Sequence, residues 1–117
     1  MADNLRILLV EDDVLIGMML VDMFDALGLP EPAQATTNEE ALAIIGAEAI
    51  GGALVDINLG DEKGWPVADA LAERCIPFAF TSGGGDVIPP AHAHRKLITK
   101  PFRISDIEAA LEEFSAE

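Results

Sequence analysis

Ala53-Leu54-Val55-Asp56-Ile57 sets one acid among four apolar residues. A run of that length and composition reads as a buried strand that presents a carboxylate at its end. A carboxylate taken out of water is costly unless a cation or hydrogen bonds meet it. A second apolar run, Leu5-Arg6-Ile7-Leu8-Leu9-Val10, leads directly into Glu11-Asp12-Asp13. Two strands that both finish in acids predict one acidic pocket at one edge of a sheet.

The 117 residues match one ordinary domain, spanning 1–117, and half of them are hydrophobic, enough for a core without covalent staples. Cys75 is the single cysteine, so no internal disulfide forms; it is expected to be a small buried side chain. The formal net charge of −14 argues against direct nucleic-acid or anionic-membrane binding through a basic face. Met1-Ala2-Asp3-Asn4 lacks the basic start of a signal peptide, and the apolar stretch from Val14 to Val21 is too short to span a bilayer. A cytoplasmic protein is the expectation.

Around the two acidic strand ends the chain alternates. Helix one, about Val14 to Leu27, carries the stripe Ile16, Leu20, Met23, Phe24 and Leu27, with Asp13 as N-cap and Gly28 as terminator. Strand two is about Ala33 to Thr36. Helix two opens on the capping box Thr37-Asn38-Glu39-Glu40. Strand three is about Ala53 to Ile57, followed by a polar loop from Asn58 to Gly64. Helix three runs from about Trp65, a packing residue, to Arg74. Strand four is about Phe78 to Thr81 and strand five about Lys96 to Thr99. The last helix opens on a second capping box, Ser105-Asp106-Ile107-Glu108. Between strands four and five, Gly83-Gly84-Gly85 and Pro89-Pro90 predict a fourth helix that is short or irregular. His92 and His94, two apart, are expected on the solvated surface.

This order implies an α/β fold, a five-stranded parallel sheet with helices on both faces. Ligands of such sheets bind beyond the carboxyl ends of the strands. Glu11, Asp12 and Asp13 follow strand one, Asp56 ends strand three, Thr81 ends strand four and Lys100 follows strand five, so all the reactive groups gather at one edge. Clustered carboxylates with no His or Cys in the pattern favour a hard divalent cation, Mg²⁺ or Mn²⁺. Such a site expects phosphate oxygens as further ligands, and a carboxylate can attack a phosphoryl group to form an acyl phosphate. Lys100 and Thr81 would supply charge and a hydrogen bond to its oxygens. Gly83-Gly84-Gly85 is not a P-loop, because no Gly-Lys-Ser/Thr follows.

The ordered set Val10-Glu11-Asp12-Asp13, Asp56, Thr81 and Lys100-Pro101-Phe102 resembles the receiver domain of bacterial two-component response regulators, in its stand-alone, single-domain form. The resemblance covers the whole chain, and Leu59 and Gly64 match the loop after the acceptor. It implies a flavodoxin-like strand order 2-1-3-4-5. It implies a phosphoacceptor in a His-to-Asp phosphorelay, a signalling domain rather than an enzyme. Asp56 would accept the phosphoryl group from a sensor histidine kinase or a histidine phosphotransfer protein, and the change would be read by a downstream protein target. Asp12 would ligate Mg²⁺ directly and Glu11 through water, with Asp56 and the backbone carbonyl of Asn58 completing the protein ligands. Thr81 would move to the phosphoryl group, and Lys100, before a cis Pro101, would pair with it. Leu97 stands where the family often has an aromatic switch residue. The alternative is a phosphatase of the haloacid-dehalogenase type, which also forms an aspartyl phosphate but wants a second Asp where this chain has Asn58.

Overall fold

The computed structural model describes residues 6–115. Five strands form one parallel sheet: β1 (Arg6–Val10), β2 (Ala33–Ala35), β3 (Ile50–Asp56), β6 (Phe78–Ser82) and β7 (Leu97–Thr99), in the order β2-β1-β3-β6-β7. The two-residue strands β4 (Asn58–Leu59) and β5 (Glu62–Lys63) make a small antiparallel hairpin. The helices are α1 (Val14–Ala26), α2 (Asn38–Ala47), α3 (Trp65–Glu73) and α4 (Ile104–Ser115).

Side-chain alternation along the central strands sorts the core into two layers. Leu8, Val10, Ala53, Val55, Phe78 and Phe80 pack with Ala41 and Ile45 of α2 and with Val67, Ala68 and Leu71 of α3. Leu9, Leu54, Ala79 and Ile98 pack with Leu20 and Phe24 of α1 and with Ile107, Ala110 and Phe114 of α4. Strands buried on both faces explain why β3 reads as a continuous apolar run. Gly52 gives α4 room, since a Cβ there would lie 2.5 Å from the Phe114 ring.

Helix entries follow local chemistry, with one shift. Asp13 caps α1 by accepting from the N–H groups of Leu15 (2.9 Å) and Ile16 (3.2 Å). Thr37 caps α2 through the Glu40 N–H at 3.1 Å, while the Glu40 carboxylate reaches back one residue further, to the N–H and hydroxyl of Thr36. The last helix starts earlier than its expected capping box. Ser105 lies inside α4, and the reciprocal bond is made by Asp106, which accepts from the Arg103 N–H at 3.0 Å. Cys75, expected to be buried, is exposed. It follows the end of α3 with φ 58, and there the Cys75 N–H bonds to Ala72 O and the Ile76 N–H to Leu71 O. That left-handed turn closes the helix and carries the thiol away from the core.

Between β6 and β7 the only regular element among the described residues is a 3-10 turn, Pro90–His92, so the fourth helix is reduced to a single turn. His92 compensates. It was expected at the surface, yet it is 4% exposed, edge-on to both Phe78 and Phe80, with Nε2 2.8 Å from Asp69 on α3. Arg95 then covers the Phe78 ring at 4.3 Å. One imidazole and one guanidinium thus pin the segment where a helix would otherwise pack. No helix among the described residues is long and apolar enough to cross a membrane.

Candidate functional site

The alternation that builds the core also selects the site. Leu9, Leu54 and Ala79 share a layer through the register Leu9↔Leu54↔Ala79. Two residues further along each strand, the same side carries Glu11, Asp56 and Thr81, with Asp56 and Thr81 paired directly. All three are buried.

Lys100 arrives from the end of β7 and donates to Asp56 Oδ2 at 2.8 Å. Its Nζ also lies 3.2 Å from Glu11 Oε1. That is ion-pair distance without hydrogen-bond geometry, and Glu11 Oε1 accepts no hydrogen bond although it is buried. The Lys100–Pro101 peptide bond is cis. The Lys100 N–H is held by Ser82 O at 2.7 Å, fixing the chain where the side chain departs.

The remaining bonds come from the connections. Asp56 Oδ1 accepts from the Asn58 N–H at 3.0 Å. The hairpin then turns at Gly60, φ 63, whose N–H donates to Asp12 Oδ2 at 2.8 Å. The chain returns close over the strand end, where Gly64 donates to Ile57 O at 2.8 Å and a Cβ on Gly64 would lie 2.6 Å from Asp56 O. Only glycine fits that approach. Glu11 Oε2 accepts from the Asp13 N–H at 3.1 Å. The Asp13 side chain itself caps α1.

Glu11, Asp12 and Asp56 each bring a carboxylate oxygen within 4.8 Å of the others. Against them stands the ammonium of Lys100. Burial, reinforced by the hydrogen bond and the charge of Asp56, raises the Glu11 carboxyl from 4.5 to about 7. Burial by itself would lower the Lys100 ammonium. The hydrogen bond to Asp56 and the charges of Asp56 and Glu11 outweigh it and raise the group above its usual value. The orphaned oxygen of Glu11, the clustered hard donors and the surplus of negative charge fit a divalent cation.

The Glu11 shift makes a testable statement. In the absence of divalent ions the folded chain binds this proton more tightly than the unfolded chain. Stability from this group is therefore full below about pH 4.5 and falls as pH rises towards about 7. Chemical-denaturation midpoints between pH 4.5 and 7.5 without metal should decline, and Glu11→Gln should flatten the decline. An unchanged slope in Glu11→Gln would show that another group is responsible.

The structure brings together Glu11, Asp12, Asp56, Thr81 and Lys100 as the spacing predicts. Asn58 contributes its backbone N–H, while its side-chain amide turns to Asp86, donating to Oδ1 at 3.1 Å and Oδ2 at 3.2 Å. Sequence reasoning missed Asp86, together with Ser82 and Lys63, whose side chains join the same cluster. The signal was present: Ser82 and Asp86 flank three glycines, a spacing suited to side-chain closure of a loop. Beside Lys100, a cavity of about 290 Å³ is lined by Ile16, Met19, Gly83, Pro101 and Phe102.

No protein-family model matches the chain, and no curated protein does. Solved structures do match. The solution structure of SdrG from Sphingomonas melonis Fr1 is 38% identical, with 98% of this chain and 99% of SdrG covered and a TM-score of 0.84. SdrG from Pseudomonas melonis Fr1 in its BeF3-activated conformation is 40% identical, over 91% of this chain and 94% of that one, with a TM-score of 0.77. The response regulator REC domain of PhyR from Erythrobacter litoralis is 29% identical, over 96% and 90%, with a TM-score of 0.76. With this fold, this arrangement of acids and lysine, and relatives alike over nearly their full length, the chain belongs to the response regulator receiver domains.

Proposed function

We propose that this receiver takes a phosphoryl group on Asp56 from a phosphohistidine of a sensor kinase or a histidine phosphotransfer protein, and that the modified domain changes its contacts with a downstream protein. The observation that carries the reading is the contact of 2.8 Å between Lys100 Nζ and Asp56 inside a buried acid cluster. It holds one oxygen of the acceptor and places a cation where the oxygens of a transferred group would lie. In the transfer, a carboxylate oxygen of Asp56 attacks phosphorus, the P–N bond breaks, and its electron pair leaves with the imidazole. The product is an acyl phosphate. Lys100 follows the negative charge from carboxylate to phosphoryl oxygen, and Thr81, paired with Asp56 in the sheet, offers its hydroxyl to the same group.

Mg²⁺, or Mn²⁺ as a similar hard ion, would be held by Glu11, Asp12 and Asp56 and by the backbone carbonyl of Asn58. When bound, it supplies positive charge that offsets the clustered carboxylates and the phosphoryl oxygens. The BeF3-activated conformation of SdrG, a relative 40% identical to this chain, supports the reading. Val14, Leu15 and Met18 are exposed on α1, the helix whose Ile16 and Met19 line the cavity next to Lys100, and give a protein donor an apolar surface. A cytoplasmic location and a bacterial two-component partner belong to the same reading.

Incubation with phosphoramidate and Mg²⁺, followed by intact mass and free-phosphate measurement, distinguishes a signalling acceptor from an enzyme. The expected result is one added phosphate per chain, with phosphate release no faster than loss of that adduct. Continuous turnover of an aryl phosphate without a build-up of adduct would favour a phosphatase instead.

A further inference from the structure

The glycine-rich connection after β6 is tied across the acceptor end of the sheet by a cluster that the phosphoacceptor chemistry does not use. Asp86 is its hub. Its side chain is 13% exposed. Its carboxylate accepts from both Asn58 Nδ2, at 3.1 and 3.2 Å, and the Ser82 hydroxyl, with Lys63 Nζ 3.6 Å from Oδ1. Lys63 also donates to the Asn58 side-chain oxygen, and the Gly84 N–H donates to Ser82 Oγ at 2.9 Å. These hydrogen bonds, Ser82's first, hold the Asp86 carboxyl below its ordinary range. Gly84 and Gly85, at φ 110 and 79, form the turn that lets the chain come back to Asn58, and a side chain at either would be strained.

Both anchors of this strap adjoin the acceptor. Asn58 gives its backbone N–H to Asp56 Oδ1, and Ser82 follows Thr81, the sheet partner of Asp56. We propose that Asp86 is a positioning residue: it latches the loop 83–85 onto the β4–β5 hairpin and thereby limits how readily donor and water reach Asp56. The role rests on Asp56 being the phosphoacceptor. Ser82 and Thr81 share a strand end, so a phosphoryl group on Asp56 would form one residue from the latch. The negative charge of that group also opposes the Asp86 carboxylate.

The test compares wild type with Asp86→Ala, Asp86→Asn and Ser82→Ala in the full chain, using phosphoramidate and Mg²⁺ for labelling and hydrogen exchange of the unphosphorylated protein as a second readout. In Asp86→Ala, amide exchange over 83–86 should rise. Labelling and hydrolysis rates should rise together by about five- to tenfold, the net worth of about one ordinary hydrogen bond, with one phosphate per chain still reached. Asp86→Asn loses the charge and one of the two acceptor oxygens and should fall between wild type and Asp86→Ala, and Ser82→Ala should shift in the same direction as Asp86→Ala. Unchanged exchange and rates in Asp86→Ala would overturn the latch, as would slower labelling with unchanged exchange. A wild-type chain that takes no phosphate would overturn the acceptor reading, and the gating role with it. Exchange differences that persist in that case would identify the acceptor as the failed step.

Discussion

Asp56→Asn is expected to lower phosphate incorporation by at least about a thousandfold while the fold persists, because an amide has neither the charge nor the nucleophilicity of the carboxylate it replaces. The change is nearly isosteric, so the Asn58 N–H keeps an oxygen to bond and Lys100 keeps Glu11 at 3.2 Å. A second consequence separates a local effect from misfolding. One cause that raises Glu11, the charge of Asp56, disappears, while burial remains. The Glu11 carboxyl should move down, and the loss of stability between about pH 4.5 and 7 should begin at lower pH and be smaller. Intact mass after exposure to phosphoramidate checks the first effect, and denaturation midpoints across pH check the second. Full labelling of Asp56→Asn would place the phosphate elsewhere.

Phe80→Ala is expected to cost about 3–5 kcal/mol, enough to lower the melting temperature by roughly 10–20 °C. Phe80 is fully buried and sits edge-to-face with Trp65 at 5.5 Å, Phe78 at 5.4 Å and His92 at 5.9 Å. It therefore joins β6, the start of α3 and the 3-10 turn that stands in for a full helix. Losing the ring removes contacts from three elements at once, and the rigid strands β3 and β6 cannot collapse into the space. Phe80→Leu, which fills much of the volume, should cost less than half as much. Thermal unfolding checks both, and a loss of only a few degrees in Phe80→Ala would mean that the site collapses more freely than its packing suggests.

The strands and the acid–lysine edge were legible because both rest on short-range pattern. Apolar runs that end in Glu11 and Asp56, with helices between them, imply a parallel sheet, whose strand order came from the resemblance, and the register brings Thr81 opposite Asp56. Features set by distant packing were not legible. His92 looked like surface from its spacing to His94, yet two phenylalanines of β6 and Asp69 of α3 enclose it. Cys75 has the composition of a core residue, but it takes the left-handed turn after α3 and ends up outside. The β4–β5 hairpin is two residues deep on each side, too short for alternation to register, and it forms where Gly60 turns and Gly64 lets the chain approach Asp56. Asp86 escaped notice because its partners Asn58 and Lys63 lie on that hairpin.

The central claim is that the carboxylate of Asp56 becomes an acyl phosphate. Borohydride reduces an acyl phosphate to the alcohol and releases phosphate, leaving homoserine where the aspartate stood. Protein treated with phosphoramidate and Mg²⁺, reduced and digested, should show homoserine at position 56 in its peptide masses, in an amount that matches the adduct seen before reduction. A stable adduct with no homoserine at 56, or homoserine at another acid, would contradict the account.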